Sequence, residues 1–126
     1  MREESKQPRD LLPLTPAVLN ILLALAGGER HGYGIMREVR EGTDGLVRLG
    51  PGTLYTAIKR LLEDGLIEES DERPDADIDD QRRRYYRLTD FGQQVVTAEV
   101  ERLEEVVRKA RIQGISPKPG ALPEGA

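Results

Sequence analysis

The segment Gly52-Thr53-Leu54-Tyr55-Thr56-Ala57-Ile58-Lys59-Arg60-Leu61, followed closely by Asp64-Gly65-Leu66-Ile67, changes its hydrophobic period part-way along. Leu54, Ile58, Leu61 and Leu62 recur at the helical spacing and give one apolar face. The other face carries Thr53, Thr56, Lys59, Arg60 and Glu63. Pro51 suits the start of this helix and Gly65 its stop. Leu66-Ile67-Glu68-Glu69 then reads as a short strand. An acidic loop from Asp71 to Gln81 separates it from Arg84-Tyr85-Tyr86-Arg87-Leu88, which alternates, with Tyr86 and Leu88 on one face and Tyr85 and Arg87 on the other. The spacing predicts a helix feeding a two-stranded hairpin.

Two more helices precede this unit. Thr15 is a natural N-cap, Pro16 fits the first helical position, and Gly27-Gly28 ends a helix whose residues from Ala17 to Leu25 are apolar on almost every side. A second helix is expected from His31 to Glu41, with Ile35, Met36 and Val39 on one face, Arg37 and Arg40 open to solvent, and Gly42 as its stop. After the hairpin, Thr89-Asp90 caps a long last helix. In it Phe91 and Val95 point inward, while Val96, Val100, Leu103, Val107 and Ala110, spaced 4, 3, 4 and 3, form a two-heptad seam. The order of elements is that of a mainly α (α+β) fold: a winged helix-turn-helix with a two-stranded wing and a long C-terminal helix. Residues 1–13 read as a flexible arm, 14–88 as the winged domain, 89–113 as a dimerisation helix and 114–126 as a disordered tail.

Composition narrows the function classes. The chain has 126 residues, 37% hydrophobic and 33% charged, which suits one soluble domain. With no cysteine and one histidine, thiolate or multi-histidine metal sites and cysteine nucleophiles are not expected, nor is a cofactor. The longest apolar run is broken by Asn20 and is too short to span a bilayer, and no signal-peptide pattern opens the chain, so a cytoplasmic location is expected. The net charge of −4 is unevenly spread. From Glu63 to Asp80 ten acids stand against Arg73 alone, a local −9 that leaves +5 for the remainder. Phosphate contacts depend on local patches, so the net charge does not exclude DNA.

Three features each admit two readings. The third helix is either a recognition helix, with Thr53, Tyr55, Lys59 and Arg60 reaching phosphates or base edges, or an amphipathic helix with a solvated basic edge. Arg82, Arg83, Arg84 and Arg87 either grip DNA as a wing or neutralise the acidic loop beside them. The aliphatic seam is either a homodimer contact or a face packed on its own domain; a chain this small has little core left to cover it, which favours the dimer. His31 beside Gly32 at a helix start is expected to bond locally, and the glycines at 32 and 34 follow no predicted strand and make no phosphate loop. No nucleophile–base or metal constellation is visible, so an enzyme is not expected.

The chain resembles the PadR family of bacterial transcriptional regulators. His31-Gly32-Tyr33-Gly34-Ile35 is similar to the family's HGY-x-I, the segment from Gly52 to Ile67 to its GTLYPxLxRL…GLI signature, and Arg84 to Gly92 to its R-x-YYxLTxxG. The resemblance covers roughly residues 14–110 and implies a dimeric repressor of the short subfamily, binding double-stranded, pseudo-palindromic operator DNA, with the last helix as dimer arm. Thr56 stands where the family commonly has proline and turns a hydroxyl toward the implied DNA side. Some short members bind flat hydrophobic effectors in a pore between subunits; here there is no tryptophan and the seam is aliphatic, so a stacking platform is missing. The alternative from another class is a winged-helix adaptor whose acidic surface excludes DNA.

Overall fold

The computed structural model describes residues 6–70 and 84–116. After a 3-10 turn at Pro8–Leu11 come α1 (Pro16–Ala26), β1 (Arg30–His31), α2 (Gly32–Gly42), α3 (Pro51–Glu63), β2 (Ile67–Ser70), β3 (Tyr85–Leu88) and α4 (Asp90–Ile112). The helices begin on local caps. The Thr15 hydroxyl accepts from the Val18 N–H at 3.1 Å, the His31 Nδ1 from Gly34 N–H at 3.0 Å, and the Thr89 hydroxyl from Gly92 N–H at 3.0 Å. Each pairs one amide that the helix itself leaves unbonded. His31 thus takes the local bonding role expected of it.

The core joins the apolar faces of all four helices. Ile21 and Leu22 of α1, Ile35 of α2, Leu54 of α3 and Val95 of α4 are wholly buried, with Leu66, Ile67 and Tyr86 closing the sheet side. Burying each such aliphatic side chain is worth about 1.5–3 kcal/mol, which fixes the three-helix body. Arg30 ties α1 to α2: its Nε donates to the Ala24 carbonyl at 2.9 Å, and its guanidinium lies 3.7 Å from Glu38. The Ala24 carbonyl sits in the last turn of α1, where backbone acceptors lack helical partners.

Four sequence expectations change. First, the predicted two-stranded wing, β2 and β3, is joined by a third strand: the sheet has three antiparallel strands in the order β1-β3-β2, because Arg30 and His31 pair with Tyr86 and Tyr85. Two residues are too few to show a period, and this short strand covers the edge that β3 would otherwise expose. Second, the described end of the expected arm, residues 6–13, packs in part on the domain. Leu11, Leu12 and Leu14 pack on the core, and the Leu14 N–H donates to the Glu99 carboxylate at 3.0 Å. Flanking charges and prolines masked this short leucine run. Third, Val96 is only 4% exposed and belongs to the chain's own core, so the seam is free only from Val100 onward. Fourth, α2 ends at Gly42 rather than before it, with Thr43 as its cap.

The last helix stops in a turn at Gly114, whose φ is 86°, with the Ile115 N–H bonded to Ala110 O at 2.8 Å. The rest of the expected tail and the acidic loop Asp71 to Asp80 lie outside the described residues, as do Arg82 and Arg83. No helix among the described residues is long and apolar enough to cross a membrane.

Candidate nucleic-acid interface

Helix α3 buries Leu54, Ile58 and Leu61 and turns Thr53, Thr56, Lys59 and Arg60 to solvent. Those four of the five helix residues read as DNA-binding share an exposed surface. Thr53, Thr56 and Arg60 also border a groove of about 560 Å³ whose opposite wall is Thr15, Ala17 and Val18 at the start of α1. Arg60 lies 3.8 Å from Asp64 one turn on, a loose, exposed pair.

Tyr55 does not join this surface. Its ring packs beneath the start of α2: a Cβ on Gly32 would overlap the Tyr55 hydroxyl and stand 2.8 Å from its Cζ. The residue lies one turn before Ile58 and two before Leu62, on the half-buried flank that faces the sheet with Tyr86. Tyr55 therefore positions α3 against α2 and the wing. Gly32 is required there because the tyrosine occupies the space of a side chain. Burial first, and Glu69 next, push the Tyr86 phenol up from its ordinary value, so it stays neutral in the wall.

On the wing, Arg84 bonds Glu69 at 3.0 Å and Arg87 bonds Glu68 at 2.8 Å. Glu68 and Arg87 are directly opposed in the β2–β3 register. The neutralising acids that the structure shows are thus on the paired strand. Both pairs are half exposed, and pairs of this kind are worth about 0–1 kcal/mol.

A second basic surface escaped the motif-based reading. The link between α2 and α3, too long for a tight helix-turn-helix turn, is itself ordered. The Thr43 hydroxyl donates to Val39 O at 2.7 Å and accepts from Val47 N–H at 3.0 Å, while Asp44 and Gly45 turn the chain with φ of 52° and 81°. This folds Arg48 back toward α2, where Arg37 and Arg40 border the same groove. The spacing of Arg37 and Arg40, three apart on a helix, was a visible signal. The inclusion of Arg48 was not, because it depends on the turn.

Beyond the domain body, α4 exposes Val100, Val106 and Val107 to 39%, 49% and 42%, beside half-buried Leu103 and Ala110. Among the described residues no group of three or more His, Cys, Asp or Glu could hold a metal ion.

Known proteins share this arrangement. The family model of the transcriptional regulator PadR-like family matches residues 21–98. Transcriptional regulator Rv3488 of Mycobacterium tuberculosis is 38% identical over 92 residues, 72% of this chain and 78% of that one. The structure of a transcriptional regulator from Clostridium thermocellum aligns with a TM-score of 0.62 at 30% identity, covering 80% of this chain and 90% of its own. A PadR family transcription regulator from Clostridium difficile shares the fold, with a TM-score of 0.62 at 24% identity over 77% of this chain and 96% of its own. The family and these relatives are regulators of transcription and not enzymes. With its helix signature, its wing and the match from α1 into α4, the chain belongs to the PadR-like family of transcriptional regulators.

Proposed function

We propose that the protein is a cytoplasmic repressor that binds a pseudo-palindromic DNA operator as a homodimer. The observation that carries this reading is the outward face of α3, where Thr53, Thr56, Lys59 and Arg60 stand together above a fully buried anchor of Leu54 and Ile58. A rigid helix presenting two cations and two hydroxyls suits insertion in the major groove, cations on phosphates or guanine edges and hydroxyls on either. Arg84 and Arg87, with Arg82 and Arg83 before them in sequence, add phosphate grip from the wing. The stripe of Val100, Leu103, Val107 and Ala110 supports pairing with a second copy, since an exposed aliphatic stripe on a helix is covered by a partner in a soluble protein.

The reading is tested by fluorescence-anisotropy titration with labelled duplex from upstream of the protein's own gene, with unrelated duplex as competitor. Binding is expected to resist the competitor and to weaken with salt. The double variant Lys59→Ala, Arg60→Ala should bind more weakly, with a log K against log salt slope flatter by about 1.8, from roughly 0.9 per lost phosphate contact. An unchanged affinity removes α3 from the interface, and no binding by the unaltered protein at low salt favours a protein-binding adaptor instead. Leu103→Glu sets like charges across the stripe and should yield monomers in sedimentation equilibrium. A persisting dimer would mean that assembly uses another face.

A further inference from the structure

We infer that the groove between the start of α1 and α3 binds a straight-chain alkyl carboxylate of roughly eight to ten carbons, and that its occupancy releases DNA. The release rests on the DNA-binding reading above, and the binding does not. Shape is the first ground. The α3 wall runs from Gly52 to Leu61, roughly 13 Å along the helix axis, with Thr15, Ala17 and Val18 opposite. At ordinary carbon–carbon distances that is the length of an extended chain of about ten carbons. The groove stays open because the side chains along it are small. A Cβ on Gly52 would meet nothing within 4 Å, and Ala17 and Ala57 carry no more than that atom. The resulting space of about 560 Å³ lies within the range of small-molecule sites.

Chemistry is the second ground. Val18, Ala57 and Leu61 give the groove an apolar bed, and Arg60 is the one charged residue among those that border it. The Arg60 side chain is 78% exposed, and its ion pair among the described residues is the loose 3.8 Å approach of Nε to Asp64. The Thr53 and Thr56 hydroxyls have no hydrogen-bond partner among the described residues, so they too can donate to a carboxylate. One guanidinium at the edge of an apolar bed selects a ligand with one anionic head and an apolar body. A neutral hydrocarbon would leave the guanidinium unanswered, and a polyanion would meet a single cation. The consequence for DNA follows from the same side chains. Thr53, Thr56 and Arg60 are three of the four residues that α3 turns outward, so a carboxylate held there covers both hydroxyls and neutralises one of the two cations.

Isothermal titration calorimetry of octanoate into the full chain, without DNA, tests the site. One octanoate should bind per chain. Butanoate, four methylenes shorter, should bind about 16-fold more weakly, or roughly 2-fold per half-buried methylene. 1-Octanol, equal in length but uncharged, should lose roughly 10-fold through the missing charged hydrogen bonds. Arg60→Gln should bring octanoate down to the affinity of 1-octanol and leave 1-octanol unchanged. Gly52→Leu places a side chain in the groove and should weaken both, and melting curves check that each variant is folded. Absence of octanoate binding overturns the inference, as does octanoate binding that neither variant alters, which would place the ligand on another surface. For the release, octanoate at ten times its own Kd should lower the apparent affinity for the labelled upstream duplex about 11-fold, with butanoate at equal concentration as the control for added salt. Undiminished DNA binding by the octanoate-loaded protein overturns the release. Failure of the unaltered protein to bind any duplex overturns the release together with the DNA-binding reading, while calorimetry decides the groove by itself.

Discussion

Replacing Gly92 with alanine is expected to destabilise the protein by roughly 3 kcal/mol, at the upper end of what overpacking costs. For a domain of this size that is a fall in melting temperature of more than about 10 °C. The reason is a backbone contact. A Cβ at Gly92 would overlap the Leu66 carbonyl oxygen and lie 3.0 Å from its carbon. That carbonyl cannot retreat freely, since it accepts the Thr89 N–H at 3.1 Å while the Leu66 N–H is bonded to Leu61 O at 3.0 Å. The Thr89 hydroxyl, which caps α4, also donates to Gly65 O at 2.6 Å. The start of α4 is thus locked onto the turn that ends α3, and an added methyl must break that lock. Gly42→Ala is the control: nothing lies within 4 Å of a Cβ there, so the change should raise stability by about 0.5 kcal/mol through helix propensity. Thermal melts of the two variants decide the matter, and equal effects would show that the α3–α4 contact gives way cheaply.

The second large effect concerns Glu99, a carboxylate 1% exposed on α4. Arg102 donates to it at 2.6 and 3.0 Å, and the Leu14 N–H at 3.0 Å joins it to the segment before α1. The Arg102 hydrogen bonds, helped by the Leu14 amide and opposed by burial, hold its pKa below the ordinary value of 4.5. Because the folded value is the lower one, the stability that the ionised group contributes is complete above that ordinary value. It is lost as pH falls through the depressed folded value. Glu99→Leu leaves the Leu14 N–H without its acceptor and should cost about 1–3 kcal/mol at neutral pH. Trypsin should then cut faster at Arg9, in the turn that this bond holds down. Glu99→Gln keeps an acceptor but not the charge, so its deficit in urea melts should shrink as the medium is taken from neutral to acid. A deficit constant with pH would mean that the charge is not what Glu99 supplies.

Much of this molecule was legible in one dimension. The face of α3 follows from Leu54, Ile58 and Leu61 recurring at the helical period, and its outward Thr53, Thr56, Lys59 and Arg60 follow from the same spacing. The helix starts at Thr15 and Thr89 were equally visible, because capping is a local contact within three residues. Periodicity failed where a residue's role depends on distant chain. Tyr55 lies beside the exposed residues in sequence but fills the space above Gly32, so it holds α3 against α2. Val96 fits the heptad and is nevertheless covered by its own domain.

What the sequence by itself determined was therefore the identity and order of the helices, the strands of the hairpin and the residues that α3 presents, all set by contacts within a few positions. Only the tertiary structure decided that Arg30 and His31 add a third strand, that Leu14 closes on Glu99 85 residues away, and that Arg48 joins Arg37 and Arg40. Those outcomes depend on which surfaces the packed core leaves adjacent. Hydrophobic spacing records which side of an element is buried, but not which partner buries it.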